Sequence, residues 1–395
     1  MRSRFTSILF FLVFVNEVAS QTLVNGVVLD EQNRNPVSFS MVFLANTSIG
    51  TLTDENGKFS LSVPKGRFDL VISKLGYQKT IRELNSAVSM DKQITIFLEK
   101  TELELDALEV NEERDPRWYQ NLQVFKNNFL GQSDNSQNSV FQNEKRLILD
   151  DLTSPGYLNA RSNEPLKIWN KNLGYEIEYD LVVFEYQVRE RSLISGGYPL
   201  FRPILIKSKA KQKEVEKNRL AAYHGSLMHF LRAVHSNSLK EEGFEVYRLQ
   251  RVPNPERPSD QEIASMAQKI RSGQMQEVDL KAFSELSRKP KFIQIVDSNP
   301  LDFSKIATKN QDGDLVIEFK DHLLVKNTKY QPIPSYFVNF KPGSQESVIH
   351  LPTGKITIQE NGNHFPAFDL FLEGYMSWLK VADLLPLDYW PNSND

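Results

Sequence analysis

From Thr22 to about Glu99 the chain is cut every few residues by turn signals, and the runs between them alternate apolar with polar side chains. Leu23 to Leu29 leads into Asp30-Glu31-Gln32-Asn33, and Phe39 to Ala45 leads into Thr47-Ser48. Thr51 to Thr53 enters Asp54-Glu55-Asn56-Gly57, Lys58 to Val63 leaves it, and Pro64-Lys65-Gly66 turns again before Arg67 to Ser73. Gly76-Tyr77 precedes Gln78 to Arg82, and Gln93 to Leu98 closes the series. Short alternating runs at this spacing predict a small β-sandwich. The acidic turn at Asp54 also invites a calcium reading, but an EF-hand needs oxygen ligands at alternate positions and a Glu at the twelfth. That position is Lys65. Asn56-Gly57 is instead read as the turn of a hairpin, since both residue types tolerate positive φ.

The series Gly26-Val27-Val28, Pro36-Val37, Gly50-Thr51, Thr53-Asp54, Gly57-Lys58-Phe59, Gly66 and Leu75-Gly76-Tyr77 resembles the carboxypeptidase-regulatory-like, transthyretin-like β-sandwich. That module stands at the front of many bacterial outer-membrane TonB-dependent receptors. The resemblance implies a folding or docking accessory without zinc ligands and without carboxypeptidase activity of its own. Neither the receptor's plug nor its barrel is expected to follow, because a barrel requires many more amphipathic strands than 395 residues provide.

Ahead of the sandwich, residues 1–20 place Arg2 and Arg4 before an apolar core from Ile8 to Val15 and end on Ala19-Ser20. This is the pattern of a secretory signal peptide, and the apolar run is too short to span a bilayer. Export to the periplasm, to the outer membrane as an associated protein, or to the exterior is the expectation, with no transmembrane segment in the mature chain. The chain has no cysteine, so it is expected to fold without disulfides, and thiol catalysis is excluded. Its net charge is −3 with Lys and Arg scattered, which makes nucleic acid an unexpected partner.

Residues 100–115 are acidic and are read as a linker, leaving 21–99 as the sandwich and 116–395 as a larger α+β domain. Asp115-Pro116 opens a helix, with Trp118, Leu122, Phe125 and Phe129 on one apolar stripe and Gly131 at its end. Strands are expected at Leu147–Leu149, Tyr157–Ala160, Leu166–Trp169 and, longest, Gly174–Val188. The long strand sets Tyr175, Ile177, Tyr179, Leu181 and Val183 against Glu176, Glu178 and Asp180, whose carboxylates are read as a solvated face rather than a catalytic pair. Glu214 to Glu242 reads as one long helix, on which His224 and His229 diverge by roughly 140° and so do not share a metal-binding face. Phe244 to Arg251 is a strand, and Ser259-Asp260-Gln261-Glu262 gives a capping box. Further strands are expected at Lys291–Val296, Leu315–Phe319, Tyr336–Phe340, Ser347–His350 and Lys355–Gln359, with turns at Asp312-Gly313 and Asn361-Gly362. Phe368, Phe371, Leu372, Tyr375, Trp378, Leu379 and Ala382 read as the apolar stripe of a last helix. The stretches "EPLKIWNKNLGYEIEYDLVVFEY", "AAYHGSLMHFLRAVHSNSLKEEGFEVYRL" and "GYMSWLKVADLLPLDY" resemble exported bacterial proteins of this same two-part layout, labelled only by their carboxypeptidase-like regulatory domain. That resemblance implies no catalytic residues.

The chain has no GxSxG elbow, P-loop, GxGxxG turn or HExxH helix, and no spacing joins Ser226, His229 and His350 into a triad. No catalytic residue, metal ligand or cofactor is therefore expected. The expected function is that of a non-enzymatic cell-envelope protein whose sandwich docks and whose second domain binds a partner protein, such as an outer-membrane receptor or transport component, or another envelope component. An oligosaccharide- or peptide-binding protein is the second reading, with Trp118, Trp169, Tyr198, Tyr375 and Trp390 as candidate stacking rings. A cryptic hydrolase is the third.

Overall fold

The computed structural model describes residues 21–86, 93–101, 114–273, 277–311, 313–338 and 343–392. The expected signal segment, most of the acidic linker, Asp312 and Phe340 lie outside the described residues. The chain divides into a smaller unit (21–44 and 49–101) and a larger one (45–48 and 114–392).

The smaller unit is all β. Its strands are β1 (Gln21–Asp30), β2 (Met41–Leu44), β3 (Gly50–Leu52), β4 (Lys58–Pro64), β5 (Arg67–Ser73), β6 (Thr80–Asn85) and β7 (Gln93–Leu98). They form two sheets, ordered β4-β1-β7 and β3-β2-β5-β6. Strict alternation puts Val24, Val28, Leu61, Val63, Ile94 and Ile96 into the same core as Val42, Leu44, Phe68, Leu70 and Ile72. The turn at Asp54 forms, with the Asp54 carboxylate accepting from the N–H groups of Asn56 (2.9 Å) and Lys58 (2.7 Å). It is not a hairpin within one sheet, because β3 and β4 belong to different sheets and the chain crosses between them here. Two motif glycines have steric reasons. A Cβ on Gly26 would lie 2.5 Å from the Phe59 ring, and one on Gly57, at φ 69°, would lie 2.4 Å from the Val28 carbonyl.

The larger unit mixes helices and strands but is mostly sheet. It opens with α1 (Pro116–Phe129) and α2 (Asp134–Gln137), followed by β8 (Ser139–Phe141), β9 (Ile148–Asp150), β10 (Tyr157–Arg161), β11 (Leu166–Asn170), β12 (Tyr175–Gln187) and β13 (Ser192–Pro203). Next come α3 (Lys209–Tyr223), α4 (Leu227–His235), β14 (Phe244–Pro253), α5 (Asp260–Arg271), α6 (Glu277–Ser287) and β15 (Phe292–Val296). Strands β16 (Ala307–Lys309), β17 (Leu315–Glu318), β18 (His322–Asn327), β19 (Gln345–His350), β20 (Lys355–Ile358), β21 (His364–Phe365) and β22 (Phe371–Gly374) follow, and α7 (Tyr375–Trp378) is the last α-helix. Three sheets result: β8-β11-β12-β10-β9 with β13 along β12, then β15-β14-β18-β19-β22, then β16-β17-β20-β21.

The expected stripe of α1 is the core of the first sheet. Trp118, Leu122, Phe125 and Phe129 are buried, with Phe125 stacked on Phe129 at 4.8 Å and against Phe184 at 4.7 Å. Asp115 caps the helix by accepting from the Trp118 N–H at 2.8 Å. In β12 a bulge between Leu181 and Val183 inserts Val182 into the ladder against Gly197 and Gly196. The inserted residue shifts the alternation by one, so Phe184 rather than Val183 is buried beyond it.

Four expectations are corrected. The long helix over Glu214–Glu242 is two helices: Gly225 adopts φ 78°, and Ser226 restarts the chain as N-cap of α4 by accepting from the His229 N–H at 3.2 Å. The last apolar run is a strand, β22, followed by one turn of helix. Its Phe371, Leu372 and Glu373 are recruited by β19, and Gly374 at φ 75° makes the switch. Tyr336 and Phe337 lie in a 3-10 turn over Pro334–Val338 rather than a strand. The carboxylates of β12 are not a uniformly solvated face: Asp180 is buried, and Glu178 accepts from the Arg202 guanidinium at 3.0 Å.

Candidate functional site

Helix α1 has a second stripe. Gln123, Lys126, Asn127 and Leu130 recur at i, i+3, i+4 and i+7 and form one wall of a groove of about 610 Å³. Gly131, at φ 98°, ends the helix close against Lys380, where a Cβ would lie 3.0 Å from the lysine Cβ. The chain then turns through Gln132 into α2, whose Ser136 and Gln137 continue the wall, and Ser139, Val140 and Phe141 of β8 complete it. Ser335 lines the groove from the 3-10 turn, and its buried hydroxyl has no hydrogen-bond partner among the described residues. The lining is thus mainly amides and hydroxyls over an apolar floor. Lys126 is the sole titratable side chain among the described lining residues, and it pairs with Glu144 at 2.5 Å.

A buried carboxylate holds the α2 wall from behind. Ser133 Oγ–H and Asn135 Nδ2–H, which lie between the lining residues Gln132 and Ser136, both donate to Asp383 Oδ1, at 2.7 and 2.9 Å. Burial pushes the Asp383 carboxyl up to about 6, in spite of those two hydrogen bonds.

None of the five rings expected to stack ligands is among the described lining residues of this groove. Trp169 is 42% exposed and lies directly opposite Val140, a lining residue, in the β8–β11 register, while its neighbours Ile168 and Phe141 face the α1 core. Residues paired in this way share a sheet face. Trp390 is also exposed, but the Arg232 guanidinium sits 3.8 Å over its ring. The other three are core residues with no open ring face. Trp118 donates its Nε1–H to the Leu147 carbonyl, Tyr198 packs edge-on against Phe368, and the Tyr375 hydroxyl accepts from the Ile333 N–H. The groove's amides left one legible trace in the sequence, the polar i, i+3, i+4 stripe opposite the apolar one on α1, and that stripe reads equally as a solvated helix face.

A second polar cluster surrounds the break between α3 and α4. Because the helix turns at Gly225, His224 and His229 do not diverge, and their rings lie 5.7 Å apart. His224 stacks on Tyr330 at 3.6 Å. His229 is buried and fully engaged: its Nδ1 accepts from the Gly225 N–H at 3.0 Å, and its Nε2–H donates to Glu242 Oε2 at 3.2 Å. Burial lowers the His229 pKa and so favours neutral imidazole. Burial by itself raises the Glu242 carboxyl, yet the hydrogen bond from His229 and the nearby Lys329 charge bring it below its ordinary value. An imidazole with both nitrogens committed has no lone pair for a nucleophile's proton. Ser226 Oγ caps α4, and His350 stacks on His322 at 4.7 Å, so neither completes a triad with it. Among the described residues no group of three or more His, Asp and Glu side chains is placed to hold a metal ion, and no helix is long and apolar enough to cross a membrane.

No curated protein matches the chain in sequence. Among solved structures, a DUF3823 family protein from Bacteroides ovatus is similar at 9% identity, covering 47% of this chain and 82% of its own, with a TM-score of 0.17. A protein of unknown function from Bacteroides fragilis is similar at 10% identity over 90% of this chain and 94% of its own, also with a TM-score of 0.17. Residues 24–110 match the family described as the CarboxypepD_reg-like domain. The match spans the seven-stranded sandwich and includes both glycines whose places Phe59 and Val28 dictate. The N-terminal β-sandwich of this chain is a CarboxypepD_reg-like domain.

Proposed function

We propose that this chain is a non-enzymatic protein of the cell envelope whose CarboxypepD_reg-like domain is an accessory module and whose larger unit binds a neutral oligosaccharide. One observation carries the reading: the groove is lined by amides and hydroxyls, and its lining residue Val140 pairs across the strands with an exposed indole, Trp169. Sugars present hydroxyls that both donate and accept, which amides match, and apolar C–H faces that pack on aromatic rings. The lining carries no carboxylate, and its lysine is neutralised by Glu144, which disfavours a strongly charged ligand. Export is supported by the charged, apolar and small-residue pattern of residues 1–20.

Titration calorimetry of the chain against a panel of neutral glycans tests the binding, and cell fractionation tests the location. Binding to at least one neutral glycan is expected, lost in Trp169→Ala and in Gln132→Ala while the melting temperature is unchanged. Binding that survives both substitutions, or confinement to charged ligands, overturns the reading.

A further inference from the structure

Among the described residues, strand β15 is the edge of the β15-β14-β18-β19-β22 sheet and pairs with β14 alone. Its sequence is Phe-Ile-Gln-Ile-Val, and Phe292, Ile293, Ile295 and Val296 are each 41–47% exposed. Natural edge strands are usually blunted by a charge, a proline or a bulge. Residues 292–296 contain no charge and no proline, and their register against β14 runs without a shift.

The direction of the backbone groups follows from two hydrogen bonds at the ends of the ladder. Asn254 N–H donates to the Lys291 carbonyl, and Asp297 N–H donates to the Arg248 carbonyl. Bonded positions alternate in an antiparallel pair, so Lys291, Ile293, Ile295 and Asp297 face β14. Phe292, Gln294 and Val296 therefore direct their N–H and C=O groups to the open side.

We infer that β15 pairs antiparallel with β15 of a second copy of this chain, about a two-fold axis at Gln294. In that register Phe292 meets Val296 of the copy, Gln294 meets Gln294, and Val296 meets Phe292. These are the three positions whose backbone groups point outward, and each pair exchanges two hydrogen bonds. On the opposite face Ile293 meets Ile295 of the copy. Charge complementarity favours a second copy as the occupant. The same two-fold sets Lys291, which pairs with Asp260 of its own chain at 2.5 Å, opposite Asp297 of the copy at both ends, and Asp297 has no ion-pair partner within its own chain among the described residues. A parallel arrangement in the same register would put Lys291 beside Lys291. Self-complementary pairing closes on itself and consumes the edge.

Sedimentation equilibrium of the full chain over a concentration series tests the inference. A monomer–dimer equilibrium is expected. Gln294→Pro removes an outward-facing N–H and leaves the ladder to β14 intact, so it should raise the dimer Kd roughly ten- to a hundredfold with little change in the thermal melt. Lys291→Asp and Asp297→Lys should each weaken the dimer severalfold by opposing like charges, and the double exchange should restore it. Should Gln294→Pro fail to fold, the charge exchange decides the matter. A chain that stays monomeric up to about 1 mM, the range of very weak association, overturns the inference. So does a dimer indifferent to Gln294→Pro, or one that the double exchange does not restore.

Discussion

The rings of His224 and His229 lie 5.7 Å apart because Gly225 turns the chain between them into the left-handed region. A Cβ at Gly225 would lie 1.7 Å from Gln345 Oε1, and φ 78° is costly for any other residue. Gly225→Ala is therefore expected to destabilise the larger unit by about 2–4 kcal/mol, read as a lower urea midpoint at unchanged slope. A variant as stable as the parent would mean that α3 and α4 are one continuous helix.

Two kinds of buried acid–base group give opposite pH trends. His229 is held neutral by burial, down to about 4, while an unfolded histidine titrates near 6.5. The unfolded chain alone takes up that proton, so this contribution is complete above about 6.5 and is lost as pH falls toward 4. Asp383 runs the other way. Its folded value of about 6 exceeds the ordinary 3.8, so its stabilising contribution is complete below 3.8 and is lost as pH rises through 6. Relative to Asp383→Asn, the parent chain should lose on the order of 3 kcal/mol between pH 4 and 7. Paired urea titrations at the two pH values measure this, and a constant difference between the two proteins would refute it.

The two stripes of α1 should respond differently to truncation. Phe125 is fully buried among Phe129, Phe141 and Phe184, so Phe125→Ala should cost about 3–5 kcal/mol. Gln123 lines the groove from the exposed side, and Gln123→Ala should stay within about 0.5 kcal/mol in the same assay. Comparable losses at both positions would contradict the assigned faces.

Val182 is the extra residue of the β12 bulge, opposed by no partner in the ladder. Deleting it lets Leu181 and Val183 meet Gly197 and Gly196 directly and leaves Phe184 inward, so the variant should fold with a modestly lowered melting temperature. Deleting Glu178, inside the unbroken ladder, reverses the facing of one arm of the strand and should abolish folding. Near-UV circular dichroism distinguishes the two, and equal tolerance of both deletions would count against the bulge.

Local signals made much of this fold legible. The Asp115-Pro116 start, the stripe of α1, the Ser259–Glu262 capping box and the alternation of β1, β4, β5 and β7 each follow from the residues involved. What stayed hidden depends on distant partners. Strand β13 carries Gly196, Gly197, Pro199 and Pro203, poor strand formers that are extended because β12 pairs along nearly their whole length. Phe371 and Leu372 suit either period, and β19 decides for the strand. The proximity of His224 to His229 was obscured because the apolar repeat runs on across Gly225. Trp169 was visible as an exposed ring in an alternating strand, but the groove is assembled from α1, α2, β8 and Ser335, which no single motif joins.

Val381, Ala382, Leu385 and Tyr389 occupy the same core as Trp118, Phe125 and Phe129, and Asn170 Nδ2–H donates to the Ala382 carbonyl at 2.7 Å. Synthesis runs from one end, so the aromatic side of α1 leaves the ribosome more than two hundred residues before the segment that seals it. Closure of this layer therefore depends on contacts between residues far apart in the chain, the kind that form late in folding.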